Sequence, residues 1–235
     1  RLSQGENGNW FMHVDREENI FFQLTRSKLI AFAQALVGWV KGGLAHVNIV
    51  TSMFFAGISG SVLADAASIG PILIPAMIRE KFPRDFSAAV TASSAVIGAI
   101  IPPSTVMIII GGQLDISIGG LFAGGIIPGI LVGAALMSVS FVMSWRYNYG
   151  EVHKFEGVKK VGKHGLSALP VLVIPVFLLG GILSGVFTPT EAGAIAALYT
   201  FLVGALLYRT LNPSRLSAAI ISTAKVTSSA LIIVA

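Results

Sequence analysis

The stretch LAHVNIVTSMFFAGISGSVLADAASIGPILIPAMI, residues 44–78, decides how this chain can fold. One helix of these 35 residues would extend about 52 Å at 1.5 Å per residue, which is too long for a single bilayer crossing. Two crossings joined by a turn would need more than about 40 residues. The stretch therefore predicts a re-entrant helical hairpin that enters and leaves on one side of the membrane. Its turn falls at Gly57-Ile58-Ser59-Gly60-Ser61, where small and polar residues interrupt the apolar run.

The composition around this hairpin is that of a membrane protein. Of 235 residues, 54% are hydrophobic and only 11% are charged, whereas soluble domains carry about 25% charged residues. Four more stretches approach or exceed the roughly 20 apolar residues that span a bilayer, at 86–111, 120–145, 166–186 and 192–208. We therefore expect an all-α polytopic membrane protein. The chain has no cysteine, which excludes disulfide frameworks and thiolate chemistry.

The positive charges predict the orientation of these helices. If 44–78 is a hairpin and each other apolar stretch crosses once, these basic residues share one side: Lys41, Arg79, Lys81, Arg84, Arg146, Lys154, Lys159, Lys160, Lys163, Arg209 and Arg215. The opposite loops, 112–119 and 187–191, contain no Lys or Arg. Because basic loops remain in the cytoplasm, we expect the basic side to be cytoplasmic. The net charge of +5 then reflects orientation and requires no nucleic-acid partner.

The same interpretation divides the chain into five segments. Residues 1–25 form a polar N-terminal segment. Residues 26–43 hold a helical pattern that opens at Ser27 and an apolar run that is too short to span, which favours an interfacial arm helix. Residues 44–145 contain the hairpin, a broken helix and the helix that follows. Residues 146–163 are a basic cytoplasmic loop, interpreted as a determinant of topology rather than a lipid-recognition patch. Residues 164–235 contain further apolar segments.

The helix predicted over 86–111 is interrupted at Ile100-Ile101-Pro102-Pro103-Ser104. The two prolines have no N–H and displace the carbonyls four residues back, so the oxygens of Gly98 and Ala99 lose their helical partners and become potential cation ligands. The half-helix that begins near Ser104 presents unpaired N–H groups and a positive dipole end, which suits an anion. Broken helices of this kind mark ion and substrate sites in secondary transporters, and a plain proline kink is the alternative.

The hairpin turn offers a second set of oxygen ligands. Ser59 and Ser61 supply hydroxyls and the backbone near Gly60 supplies carbonyls, which are ligands suited to Na⁺, although small residues also serve close helix packing. Asp65 is expensive in lipid and is therefore a functional candidate or a partner of the helix dipole. Gly57-Ile58-Ser59-Gly60 also matches the G-x-S-G of an intramembrane serine protease, which requires a histidine on another membrane helix. Only His46 enters the membrane region, and it lies in the same hairpin.

Two further patterns concern local structure and energy supply. Thr188-Pro189-Thr190-Glu191 has Thr at the cap, Pro at the first helical position and Glu at the third, which predicts a capping box. The sequence has no glycine-rich loop followed by Lys that would hold a nucleotide phosphate. ATP hydrolysis within this chain therefore has no support.

Several motifs occur here in the order typical of one known family. Residues 29–235 resemble the large membrane permease subunit of tripartite ATP-independent periplasmic (TRAP) transporters. The matching stretches are Phe55-Ala56-Gly57-Ile58-Ser59-Gly60-Ser61 with Ala64-Asp65-Ala66-Ala67, Ile101-Pro102-Pro103-Ser104, Ser117-Ile118-Gly119, Gly125-Ile126-Ile127-Pro128-Gly129, and Phe187-Thr188-Pro189-Thr190-Glu191-Ala192. Each motif alone is weak, whereas their order along the chain is specific.

The resemblance implies an elevator-type transporter with inverted repeats and an arm helix before each hairpin. It implies uptake of organic acids, such as C4-dicarboxylates or sialic acid, driven by Na⁺ as the coupling ion, with no other cofactor and no catalytic residue. It also implies a small four-helix membrane subunit, a periplasmic binding protein that delivers the carboxylate, and a place in the bacterial inner membrane. Half of the ion and substrate site would then be formed by Ser59, Gly60, Ser61, Pro102, Pro103 and Ser104.

The family's second repeat continues beyond position 235, so residues 164–235 are expected to begin a truncated second repeat. Three alternatives stay open. A binary sodium–dicarboxylate or citrate-type symporter shares the architecture and would have no genes for a binding protein or small subunit beside it. The serine protease would need Ser59 and a histidine in one site. A non-transporting remnant would act only by association with other membrane proteins.

Overall fold

The computed structural model describes residues 2–4, 10–12, 20–155 and 157–207, together with short helical pieces between 216 and 228. The chain forms two compact units, one of residues 26–199 and one of residues 1–25 and 200–235. In the second of these, strand β1 (Leu2–Gln4) pairs antiparallel with β2 (Trp10–Met12). The sequence analysis did not predict this short ribbon. All packing described below belongs to residues 26–199.

The rest of the described chain is helical, which confirms the prediction of an all-α polytopic membrane protein outside the ribbon. The helices are α1 (Ile20–Val37), α2 (Gly43–Ser59), α3 (Val62–Arg79), α4 (Arg84–Ala95), α5 (Thr105–Gln113), α6 (Ile118–Arg146), α7 (Val158–Leu183) and α8 (Pro189–Leu202). A 3₁₀ turn, Val96–Ala99, extends α4, and a π turn, Val203–Leu207, extends α8. Within the described part of the chain, four helical segments are long and apolar enough to cross a membrane: Val62–Arg79, Ile118–Arg146, Val158–Leu183 and Pro189–Leu206.

Helix α1 begins earlier than the apolar pattern indicated. The pattern opens at Ser27, whereas the helix starts at Ile20, because residues 20–26 contain no proline or glycine that would stop it. The helix ends at Val37, before a turn in which Gly42 has a left-handed φ of 78°. Phe32 of α1 stacks on Phe54 of α2 with ring centroids 5.5 Å apart. The arm helix is thus attached to the hairpin, and its place in the membrane interface stays a prediction.

The predicted hairpin is present as α2 and α3. The Asn48 side chain near the start of α2 donates to the Met77 sulfur near the end of α3 over 3.7 Å, so the two helices run antiparallel. The turn is shorter than predicted and consists of Gly60 and Ser61, because residues 57–59 remain helical. Gly60 closes α2 in the left-handed conformation, with φ 58°, and Ser61 caps α3 by accepting from the Ala64 N–H.

The two ends of the hairpin, which the charge argument assigned to one side of the membrane, both contact the segment that follows α6. Lys41, before α2, donates to the Asn148 side chain over 2.7 Å, and Lys81, after α3, pairs with Glu151 over 3.1 Å. The segment that follows α6 therefore crosses the base of the hairpin. The two ends of the hairpin therefore lie near one segment of the chain, and the prediction that they share the cytoplasmic side of the membrane stays a prediction.

The predicted helix break separates α4 and its 3₁₀ turn from α5. The chain is irregular from Ile100 to Ser104, and the peptide bond between Pro102 and Pro103 is cis. Helix α6 packs against this break through three glycines spaced four residues apart, Gly125, Gly129 and Gly133. A Cβ at Gly125 would lie 2.5 Å from the Ile100 carbonyl oxygen, and one at Gly133 would lie 2.6 Å from the Met53 sulfur. The missing side chains let α6 approach both the break and the hairpin.

Helices α7 and α8 form a second, mostly apolar pair. The predicted capping box starts α8: the Glu191 carboxylate accepts from the Thr188 N–H and hydroxyl, each over 2.8 Å, and the Glu191 N–H donates to the Thr188 hydroxyl over 3.3 Å. Ala192 is buried against Ile174 and Leu178 of α7. The Tyr199 hydroxyl donates to the Pro170 carbonyl of α7 over 2.9 Å.

Candidate functional site

The turn of the hairpin packs directly on the helix break. The N–H of Thr105, the first residue of α5, donates to the Gly60 carbonyl over 3.1 Å. A Cβ at Gly60 would lie 2.6 Å from the Pro103 carbonyl oxygen, so only glycine allows this approach. The two regions that the sequence analysis selected independently thus form one site. Thr105, which links them through its backbone, was not predicted because a main-chain contact leaves no signal in residue type.

Asp65 lies at the centre of this site. It belongs to the first turn of α3 and is completely buried. The Ser59 hydroxyl donates to its Oδ1 atom, whereas Oδ2 has no hydrogen-bond partner among the described residues. Oδ2 faces Gly98, where an added Cβ would lie only 2.6 Å away. The structure therefore brings together Ser59, Asp65 and Gly98, with one carboxylate oxygen left for a ligand.

The three predicted hydroxyl ligands also have local structural roles. Ser61 and Ser104 are N-caps, which accept from the N–H groups of Ala64 and Met107 over 3.4 Å in each case. The fully buried Ser104 hydroxyl donates to the Ala99 carbonyl over 2.8 Å. That carbonyl lost its helical partner, as predicted, but a side chain has replaced it. Its second lone pair is the part that an ion could use.

The start of α5 is less free than a bare helix end. The N–H of Thr105 is bonded to Gly60 and that of Met107 to Ser104. These two bonds satisfy part of the donor set that the sequence analysis offered to an anion. The dipole of this nine-residue helix still directs its positive end toward the hairpin turn.

A buried polar seam connects the site with the base of the hairpin, and the sequence analysis missed it. The Asn48 side chain donates to the Thr91 hydroxyl over 2.7 Å and accepts from the Ser94 hydroxyl over 3.3 Å. The Ser52 hydroxyl donates to that of Ser94 over 3.0 Å. All four side chains are at most 4% exposed. They hold α2 against α4 on the face that leads to Ser59.

The spacing of these residues contains a signal that could have revealed the seam. On α2, Asn48, Ser52 and Ser59 are separated by four and seven residues, which places them on one helix face. On α4 and its extension, Ser87, Thr91, Ser94 and Gly98 follow the same rule. Two polar stripes within apolar helices predict a shared interface. The signal is weak in the sequence because Ser and Thr also occur in membrane helices for close packing alone.

The geometry does not support a serine protease. Ser59 lies 13 residues beyond His46 on the same helix, a separation of about 20 Å. His46 contacts the Lys41 carbonyl over 3.2 Å, and His153 pairs with Glu80 over 3.0 Å. Among the residues whose side chains are described, Ser59 is bonded to Asp65 and no histidine completes a pair. His13 lies outside the described residues.

Among the described residues, a hairpin turn packs on a broken helix beside four helical segments that are long and apolar enough to cross a membrane, an arrangement typical of secondary transporters. Residues 24–235 match the family described as the tripartite ATP-independent periplasmic transporter, DctM component. The chain belongs to this family, as the resemblance of its motifs indicated. It is accordingly a multi-pass protein of the bacterial inner membrane.

Individual relatives agree with the family assignment. The chain is 38% identical over 186 residues to the C4-dicarboxylate TRAP transporter large permease protein DctM of Vibrio cholerae, covering 79% of this chain and 41% of that protein. It is 42% identical over 188 residues to the sialic acid large permease protein SiaM of the same organism, covering 79% and 43%. It is 42% identical over 187 residues to the isethionate TRAP transporter permease protein DctMQ of Oleidesulfovibrio alaskensis, covering 79% and 29%.

Two consequences follow from these matches. The relatives are transporter permeases and not enzymes, so the protease alternative is removed. The chain spans less than half the length of each of these relatives.

Proposed function

We propose that this chain supplies the first ion-binding half of a permease that takes up organic acids with Na⁺. The observation that carries the proposal is the contact between the hairpin turn and the helix break, with the unpartnered Asp65 Oδ2 atom between them. A buried carboxylate oxygen without a hydrogen-bond donor is unfavourable unless a cation or another polar group meets it. Na⁺ is such a cation, and it travels with the substrate as cargo.

The ion would bind to oxygen atoms from both elements. Asp65 supplies charge, Ser59 and Ser61 supply hydroxyls at the turn, and Ser104 supplies a hydroxyl at the break. The carbonyls of Gly98 and Ala99 lie in the segment just before Pro102 and Pro103, where regular helical bonding stops. These are hard oxygen ligands, which suit a small monovalent ion better than nitrogen or sulfur does.

The proposed substrate is a carboxylate. Positive charge from a bound Na⁺ and from the dipole of α5 would converge on the turn at Gly60, and a carboxylate would complement both. The relatives named for C4-dicarboxylate and sialic acid concern carboxylates, which supports this class of substrate, and the relative named for isethionate concerns another organic acid, a sulfonate.

Transport would follow an elevator mechanism. The polar seam between α2 and α4 and the glycine face of α6 hold the hairpin, the break and α6 as one body, which corresponds to residues 44–145. Such a body can move as a unit past α1 and α7 while the bound ion stays in place. In this proposal residues 164–235 begin a second repeat that would supply the other half of the site.

We further propose that the permease works with two partners. The family is named for tripartite transporters, which supports a periplasmic binding protein that delivers the substrate and a small membrane subunit. Coverage of the DctMQ relative is only 29%, so that relative is considerably longer than the large permeases. This greater length supports a small subunit that is joined to the permease in that relative.

Sodium-dependent uptake in proteoliposomes tests the proposal. Residues 26–199 of this chain would replace the equivalent segment of a full-length TRAP large permease, with its own partners present. Asp65→Asn and Ser59→Ala remove ligands that are worth about 1.5–3 kcal/mol each, so we expect the Na⁺ concentration for half-maximal uptake to rise by roughly one to two decades.

Ser138→Ala is the matched control, because the Ser138 hydroxyl is exposed on α6 and bonds only its own helix at the Ala134 carbonyl. This variant should leave the sodium dependence unchanged. Uptake by the unmodified chimera that persists after the Na⁺ gradient is dissipated would refute sodium coupling. Unchanged sodium dependence in both site variants would refute the site.

A further inference from the structure

A cavity lies between α1 and the segment that joins α6 to α7. Its volume is about 220 Å³, and one wall is a face of α1 with Ala31, Gln34 and Ala35, continued by Gly38 just after the helix. The opposite wall is formed by His153, Lys154 and Phe155, with His164 of α7. The cavity therefore combines small residues on one side with Lys and His side chains on the other.

The basic wall is held in place by contacts on its far side. His153 is positioned by the Glu80 carboxylate at 3.0 Å, and the preceding Glu151 pairs with Lys81. Phe32 of α1 would touch a Cβ at Gly165 at 3.1 Å, so α1 and α7 pack closely beside His164. Lys154 is exposed and keeps its charge available to the cavity. Glu80 is the acidic group that faces this wall, and it is engaged with His153.

Two markers place the cavity at the depth of lipid headgroups. His164 is the last basic residue of α7 before a mostly apolar run from Leu166 to Leu183 that contains no charged residue, after a first turn that contains Lys159 and Lys160. Trp39 lines the cavity, is 46% exposed and meets the Phe155 ring edge-on at 5.8 Å. Tryptophan at the boundary between basic and apolar surface is typical of the membrane interface.

We infer that this cavity binds the phosphate headgroup of an anionic phospholipid of the cytoplasmic leaflet. Lys154 and His164 would donate to the phosphate oxygens, since both side chains carry N–H donors and neither is an acceptor for a phosphodiester. The apolar face of α1 would lie along the glycerol and the first methylenes, and Trp39 would cover the mouth. The site is separate from the hairpin turn and does not depend on sodium coupling.

The charge around the cavity favours an anionic over a zwitterionic lipid. Residues 146–164 contain five Lys or Arg and two Glu, and one of these Glu is paired with Lys81 outside the segment. A zwitterionic headgroup would bring its own ammonium against Lys154. The sequence analysis interpreted this loop only as a determinant of topology. In the cavity, Lys and His side chains of this loop are held opposite a face of α1, and a determinant of topology does not require that arrangement.

Quenching of Trp39 fluorescence by brominated lipid tests the inference on the intact chain. Trp10→Phe and Trp145→Phe leave Trp39 as the single tryptophan of the three. Two vesicle preparations contain the same proportions of phosphatidylglycerol and phosphatidylcholine, and an equal amount of bromine is carried by one lipid or by the other. We expect roughly fivefold enrichment of phosphatidylglycerol at Trp39, seen as stronger quenching when that lipid is brominated.

Variants distinguish binding of the anionic lipid in the cavity from its general attraction to a basic surface. Lys154→Gln with His164→Gln should abolish the preference, and Lys154→Arg should keep it. Lys159→Gln removes an exposed charge that does not line the cavity, so this variant should change the lipid preference little. Helix content by circular dichroism shows whether each variant is folded, and the two vesicle preparations test the inference even without variants.

Three results would overturn the inference. Equal quenching by the two brominated lipids would show that no anionic lipid is selected. An equal loss of preference in the Lys159→Gln variant would show that the attraction is not specific to the cavity. A change in Trp39 emission caused by soluble glycerol phosphate in phosphatidylcholine vesicles, without a preference between brominated lipids, would assign the cavity to a free phosphate instead.

Discussion

The first helix of the hairpin and the last helix of the described bundle have opposite surroundings. In α2, thirteen of seventeen residues are buried, whereas Ala192 is the one buried residue of the fourteen in α8. The buried helix carries Asn48 and Ser52, and the exposed helix presents residues such as Leu198. Polar groups inside a membrane protein are tolerated where other protein groups bond them, and an outward face must be apolar. Burial by protein therefore makes the polar site possible.

The largest expected effect concerns the topology of the buried hairpin. A residue is labelled either from one side of the membrane or from the other, so the result is all or none. This chain has no cysteine, so Lys41→Cys, Arg84→Cys and Asp115→Cys each introduce one reactive thiol. If α2 and α3 form a re-entrant hairpin, positions 41 and 84 react with impermeant reagents only from the cytoplasm, and position 115 only from the periplasm. Labelling of positions 41 and 84 from opposite faces would refute the hairpin.

Alanine at two glycines should have effects of opposite sign. Gly98→Ala places a Cβ 2.6 Å from the Asp65 Oδ2 atom, so we expect a loss of about 1–3 kcal/mol in the free energy of unfolding. Gly180→Ala on α7 meets no atom within 4 Å and should stabilise the helix by up to about 1 kcal/mol. Denaturant titration in detergent measures both. Equal effects would show that the packing at Asp65 is looser than the structure indicates.

Removal of the seam's central side chain should cost more than removal of an exposed hydroxyl. Asn48→Leu leaves the Thr91 and Ser94 hydroxyls without their partner in a buried interface, at an expected cost of about 1–3 kcal/mol. Ser138→Ala on the exposed face of α6 should change stability by less than about 0.5 kcal/mol. A double-mutant cycle of Asn48→Leu with Thr91→Val should show coupling. Independent, additive effects would contradict the seam.

The smallest expected difference is between two helix caps. Ser104→Ala removes the buried cap of α5 and also leaves the half-buried Ala99 carbonyl without its donor. Thr188→Ala removes the exposed cap of α8. We expect about 1 kcal/mol for the exposed cap and about 2 kcal/mol for the buried one, at the upper end of the range for caps. Thermal unfolding of both variants in the same detergent compares them, and the reverse order would contradict the assigned burial.

Much of the site was predictable because its residues carry local signals. Pro102 and Pro103 cannot continue a helix, and Gly60 with Ser61 marks a turn wherever it occurs. The capping box at Thr188 and Glu191 was confirmed for the same reason. The start of α1 was predicted seven residues too late, because the apolar pattern shows where a helix must be buried and not where its backbone bonding begins.

The sequence by itself determined the apolar helices, the hairpin, the break and the side on which the charges lie. Each of these follows from the composition, length or backbone chemistry of one continuous segment. Only the tertiary structure decided that the Thr105 N–H bonds the Gly60 carbonyl, that Asp65 faces Gly98, and that Asn48 joins α2 to α4. These contacts unite atoms from separate segments, and they depend on how closely two helices approach. That approach is set by the packing of all their neighbours, which no single segment encodes.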